Sequence, residues 1–228
     1  MKRILIFPSL LCLVVGLLLG GLLPMPWDAE PTSTPPVSNT LLQVPSSSQQ
    51  DSVSAQSAPQ PLDSGDNFTL LSTASYVVQA LQVQDYSAVA SLVHPDRGVT
   101  FTPYSTVDFD TNRTLTQDQV RNLTQDDTVY TWGTQDGLGS PISMTTTQYF
   151  ASYVLDADYT QASLIGIDQI MLSGNSLENL TEAYPGCRFV DFSIPGQDGM
   201  DWSSLKLVFQ AGDTNWYLVG VVHGQWTI

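Results

Sequence analysis

Apolar residues recur at helical spacing early in the second quarter of the chain. Leu70, Leu71, Ala74, Val77, Val78 and Leu81 fall on one stripe, which predicts a helix over 68–83. Asp85 stands where it can cap a second, shorter helix over 86–93. Its apolar face is Val89, Leu92 and Val93, and Pro95 and Gly98 end it. Residues 99–102 read as a strand, and Pro103, which has no amide hydrogen to give a ladder, limits that segment to an edge or a break. Thr116 followed by Gln119 matches a capping box and opens a helix over 117–123. Residues 128–132 alternate like a strand and stop at Gly133, after which 135–143, with Gly137, Gly139 and Pro141, reads as a loop. A second capping box, Thr145 with Gln148, opens a helix through Tyr149, Phe150, Tyr153 and Val154.

The pattern then changes period. Residues 188–194, 205–210 and 216–223 alternate, and 212–215 join the last two as a hairpin. In the last segment Trp216, Leu218 and Val222 fall on one face, with Tyr217, Val219, Val221 and His223 on the other. Both faces are apolar, so this strand is expected to be central and covered on both sides. Its partner carries Leu205, Leu207 and Phe209 on one face and Lys206, Val208 and Gln210 on the other, and is expected to be half exposed. Helices first and antiparallel strands last predict an α+β domain, its N-terminal helices packed on a curved antiparallel sheet.

The chain begins quite differently. Met1, Lys2 and Arg3 precede an uncharged run over residues 4–23. Two cations followed by a run of that length predict an export signal or a membrane-spanning helix. The cation bias orients it with the N-terminus inside and the remainder outside. The run is long for a removed signal and lacks a clean small-residue cleavage site, which favours an uncleaved anchor over a secreted product. Cys12 follows Ser9, Leu10 and Leu11 rather than a small residue, so it reads as a small hydrophobe instead of a lipid-attachment site. Residues 28–66 are rich in Pro, Ser, Thr and Gln. So few large apolar side chains cannot offset the entropy of ordering, and the segment reads as a disordered tether spanning about 35 Å. Three regions result: a signal or anchor over 1–27, the tether over 28–66 and a globular domain over 67–228.

Charge narrows the partners. The chain has 7 Lys+Arg against 22 Asp+Glu, and the globular region's basic residues are Arg97, Arg113, Arg121, Arg188 and Lys206. Nucleic acids and anionic headgroups need clustered cations, so neither is an expected partner of that region. Cys187 is its one cysteine; an internal disulfide is excluded and core burial must hold it together.

The order of helix, short helix, His94-Pro95, strand and late long strands resembles the cystatin-like cone fold of nuclear transport factor two and ketosteroid isomerase. The segment from Val78 through Asp85-Tyr86 to His94-Pro95 is similar to that superfamily's opening. Wording closer still lies in residues 94–104, 174–179 and 216–228. It is similar to uncharacterised secreted or membrane-anchored proteins of Gram-positive bacteria. The resemblance implies a location and a fold but no activity, since cone folds host both enzymes and binding modules.

Candidate chemistry is sparse. His94 and His223 are the two histidines, each at the end of an element, and with Asp96 or Asp201 either is a candidate general base. The structural alternatives are a helix-end residue for His94 and a water-facing strand end for His223. Tyr130, Trp132, Tyr153 and Trp226 are the candidate pocket-lining aromatics, with plain core as the alternative. Asp108, Asp110 and Asn112 begin like a calcium loop, but Arg113 stands where the turn glycine is needed and Gln119 where the bidentate glutamate is. Asp156 and Asp158 read as solvated carboxylates. No metal set, cofactor motif or nucleophile elbow is present. Four Asn-x-Thr sequons, at Asn67, Asn112, Asn122 and Asn179, read as coincidences of a Thr-rich chain. The resulting expectation is a membrane-tethered binding domain for a small molecule, wall component or protein. The alternative is a small isomerase, dehydratase or hydrolase.

Overall fold

A computed structural model describes residues 66–226. The apolar segment, the tether, Cys12 and the last two residues lie outside the described residues.

Helix α1 (Asn67–Gln82) forms where the apolar stripe predicts it. Asp66 caps it, its Oδ1 accepting from the amides of Phe68 at 2.8 Å and Thr69 at 3.2 Å. Leu70, Ala74, Val77, Val78 and Leu81 point inward. Asp85 then caps α2 (Tyr86–Leu92) by accepting from the Ala88 amide at 3.0 Å. Strand β1 (Val99–Thr102) and β2 (Arg113–Leu115) pair antiparallel. Both capping boxes are present, on α3 (Gln117–Arg121) and on α4 (Thr146–Tyr153). The helix expected to reach residue 123 stops at Arg121, and a 3-10 turn over Leu123–Gln125 follows. Between α3 and α4 lies a hairpin of β3 (Val129–Thr134) and β4 (Pro141–Thr145). The expectation of a loop through 143 is thereby corrected: Pro141 starts a strand, a position that needs no amide hydrogen.

Then follow β5 (Leu164–Ile167), α5 (Leu180–Ala183), β6 (Arg188–Ile194), β7 (Ser203–Ala211) and β8 (Trp216–Gln225). Strands β2, β5 and helix α5 were not expected; each is three or four residues long, too short for a periodic signal. The main sheet runs β2-β1-β8-β7-β6-β5. All its pairings are antiparallel except β1 with β8, so the sheet is mixed rather than purely antiparallel. Pro103 marks a break and not an edge, because β1 has neighbours on both sides and all four residues are buried.

Strand β8 is central and covered on both faces, as expected. Its facing is not as expected. Phe209 pairs with Leu218 and Val208 with Gly220, leaving Val219 as the extra residue of a β-bulge. The bulge switches the alternation. Val221 therefore joins Trp216 and Leu218 in the main core, while Val219 and Val222 join the cluster on the opposite face. Strand β7 is also corrected: Lys206 is 0% exposed and Val208 is buried, so neither face meets water. The reason is a second layer. Residues 168–187, with Leu180 and Tyr184, and Val107 cover the outer face, packing on Phe189, Val208, Val219 and Val222 of the sheet. On the inner face α1, α2, α4 and the β3–β4 hairpin close over Phe101, Phe192, Leu205, Leu207 and Phe209.

Candidate functional site

Aromatic side chains fill the inner face of the sheet. Trp132 and Tyr149 stack at 3.9 Å with their planes 11° apart, and Tyr149 stacks on Tyr153 at 5.1 Å. Phe101 meets Trp132, Tyr149 and Phe150 at 6.1, 6.1 and 5.0 Å. Trp132, Tyr149, Phe101 and Phe150 are each at most 1% exposed. The indole of Trp132 is satisfied by the Met144 carbonyl at 3.0 Å, which fixes the ring in the wall.

At the edge of this packing sits a polar group. His223, on β8 and turned inward by the bulge, is 1% exposed. Its Nδ1 lies 2.9 Å from the Pro103 carbonyl and its Nε2 3.2 Å from Asp156 Oδ2. A carbonyl and a carboxylate can only accept, so the arrangement is satisfied when both ring nitrogens donate. Tyr159 donates to the other oxygen of Asp156 at 2.9 Å. Burial works against the charge of Asp156, but the hydrogen bond and charge of His223 and the Tyr159 hydroxyl outweigh it and hold the carboxyl below its ordinary value. Burial, and then the Asp156 charge, push the Tyr159 phenol far upward, so it remains a donor. Tyr153 sets its ring edge-on to His223 at 5.5 Å, and Tyr104 meets Tyr153 at 5.9 Å.

Pro103 and Tyr104 belong to two environments at once. Behind them is the His223 pair; in front is an open cleft of about 410 Å³. Its walls include Tyr104, Thr106, Asp108, Asn112, Gln135 and Asp136, and one side is closed by Ser176, whose hydroxyl donates to Asp136 Oδ2 at 2.8 Å. No lysine or arginine lines it. Asn112 is the hinge of its floor. Its Oδ1 accepts from the Asp108 amide and the Thr102 hydroxyl, and its Nδ2 donates to the Trp132 carbonyl. Asp108 accepts from the Asp110 amide and the Thr111 hydroxyl, so the segment that begins like a calcium loop is an acidic turn held by its own hydrogen bonds.

No family model matches the chain, and no curated protein does. Two solved structures resemble it at low identity. One is a Xanthomonas campestris protein provisionally assigned as a calcium/calmodulin dependent protein kinase II association domain. It is 11% identical over 74% of this chain and 92% of that one, with a TM-score of 0.33. The other is a chain with five substitutions whose name carries the abbreviation of nuclear transport factor two. It is 10% identical over 69% of this chain and 98% of that one, with a TM-score of 0.30. The fold described above rests on this chain's own strand pairing.

The candidate residues do not all converge. His94 accepts through Nδ1 from the amides of Asp96 and Arg97 at 3.2 and 3.1 Å, and its ring rests on Tyr217 at 5.2 Å. It ties down a turn, accepting from amides where donation to helix carbonyls was the structural expectation. His223 is buried rather than water-facing. Its carboxylate is Asp156, not Asp201, which is exposed at a left-handed φ of 57°. Asp156, read from sequence as solvated, is exposed along its backbone while its side chain, turned to His223, is 18% exposed. Trp132 is core, and Tyr130 carries the Arg113 guanidinium over its face at 4.0 Å while donating to Asp126. Tyr153 borders His223, and the Trp226 amide bonds the Trp202 carbonyl. The cleft as a whole was missed because its residues come from three separated segments, 103–112, 134–139 and Ser176, which no local spacing connects.

Proposed function

We propose that the chain is a membrane-tethered, extracytoplasmic binding domain that takes an uncharged, hydroxyl-rich ligand of the carbohydrate class in the rim cleft. The carrying observation is the contrast between a cone interior filled by its own rings and an open cleft beside it walled by hydroxyls, amides and carboxylates. Neutral polyols suit such a wall, since each hydroxyl both donates and accepts, and Tyr104 adds one aromatic surface. Anionic ligands do not suit it, because no cation lines it. Support for the tether is the uncharged run over 4–23 behind Lys2 and Arg3, and the Pro- and Ser-rich stretch after it.

The test is calorimetric titration of the protein with neutral wall-derived saccharides and other uncharged oligosaccharides. Saturable binding weakened at least tenfold by Tyr104→Ala and by Asp136→Ala is expected. Binding confined to anionic or apolar molecules, or indifferent to both substitutions, overturns the reading.

A second reading, a small isomerase, dehydratase or hydrolase, has the His223–Asp156 pair in its favour and the filled interior against it. It requires turnover that His223→Gln abolishes, measured on a panel of small esters and hydroxy-ketones.

A further inference from the structure

The outer face of the sheet buries a group of charges that the cleft does not use. Lys206 on β7 and Asp191 on β6 are directly opposite each other in the antiparallel register, and both are 0% exposed. The third member is Glu178, brought over the sheet by the covering segment. The Lys206 ammonium rests 3.4 Å from Glu178 Oε1 and 3.2 Å from Ser204 Oγ. Glu178 Oε2 is buried with no hydrogen-bond partner. Gly224 leaves the room: a Cβ there would stand 3.1 Å from the lysine nitrogen. Asp191 is fixed by the Met171 amide and the Ser193 hydroxyl, each at 2.8 Å.

One cation and two carboxylates away from water leave an excess negative charge, which such a site relieves by keeping a proton. Burial raises Asp191 against the opposing pull of Lys206, so the neutral acid is favoured there. An amine, a neutral carboxylic acid and a carboxylate able to take a proton, all shielded from water, are the parts of an amide-forming condensation. Opposite residues of an antiparallel pair have Cα atoms about 5 Å apart. The lysine arm is longer than that separation, and the ion pair its nitrogen makes in this structure is with Glu178.

We propose that Lys206 and Asp191 join in an intramolecular amide crosslink between β6 and β7, with Glu178 as the proton acceptor. Lys206 passes one proton to Glu178, and the free amine adds to Cγ of the neutral Asp191 carboxyl. The second proton lost from nitrogen leaves with the carboxyl hydroxyl as water when the C–O bond breaks. The products are one amide, one water and a protonated Glu178, with no oxidant or reductant required. No charge then remains in the layer, and a globular region with a single cysteine gains a covalent staple.

The position of Lys206 makes the test direct. It is the last basic residue of the chain, and between Arg188 and Lys206 there is no other. Trypsin acting on the purified, folded full chain after denaturation should therefore release residues 189–228 uncut and lighter by one water. Glu178→Gln should restore cleavage after Lys206, with the protein still folded by circular dichroism. Asp191→Asn should give the same uncut fragment with loss of ammonia, or none. Separate fragments 189–206 and 207–228 of full mass from the folded wild-type protein overturn the proposal.

Discussion

His223 and Asp156 show how much one residue's meaning depends on its surroundings. In sequence, Asp156 is one of two carboxylates past a helix end; in the fold it is the hydrogen-bond partner of a buried imidazole. Its carboxyl sits below its ordinary value, so its contribution to stability is full above the unfolded value of about 4 and is lost as pH falls through the folded value. Acid titration of the melting midpoint should show that loss, and Asp156→Asn should be less stable at neutral pH with a shallower acid limb. A variant with an unchanged acid limb would show that the pair does not form. Lys206 teaches the same lesson from the other side. Its alternation with Leu205 and Leu207 predicts a solvent-facing side chain that tolerates truncation. The covering segment buries it completely, and Lys206→Ala, which removes both the contact with Glu178 and the proposed crosslink, should cost about 3 kcal/mol or more in urea unfolding. Nothing within 204–208 carries that information, since the cover comes from residues 168–187.

At the scale of elements, the legible features were those with local chemistry. Asp85, Thr116 and Thr145 cap the helices placed after them, because a cap is a contact between residues two or three apart. Asp66, which composition assigned to the tether, caps the first helix. A protein beginning at 66 should melt like the full chain, whereas Asp66→Ala should cost about 1 kcal/mol, read from the denaturation midpoint. An equal loss on removing 28–65 would mean that the tether packs on the domain. The bulge at Val219 was illegible. It depends on the pairing of Phe209 with Leu218 and of Val208 with Gly220, which appears only once β7 and β8 are side by side. Without it, strict alternation puts His223 on the wrong face and hides the site.

For the whole molecule, α+β architecture and a doubly covered final strand could be read from the chain, but the mixed sheet could not. The parallel pairing of β1 with β8 joins Thr100 to Gly220 across most of the domain, and no hairpin signal announces it. Val221, in the core at 2% exposure, is a direct check on the central position of its strand: Val221→Asp should cost several kcal/mol by burying an unpaired carboxylate. Ending the protein at Asn215 should leave it unable to fold, as judged by the absence of a cooperative transition. A soluble, cooperative product would refute the topology.

Strand β8 is also the last of the described strands in chain order, and among them it alone connects β1 to β7. Until it leaves the ribosome, the early strands and the late ones have no ladder between them, so the sheet cannot close during synthesis. Closure across so long a stretch of chain is slow, and it leaves apolar edges open meanwhile. Under the export proposed above, the chain threads a membrane pore before it folds, and such a delay is then an advantage. A nascent chain stalled just short of residue 216 should remain fully sensitive to protease, and release of the completed chain should be followed by a single slow gain of resistance.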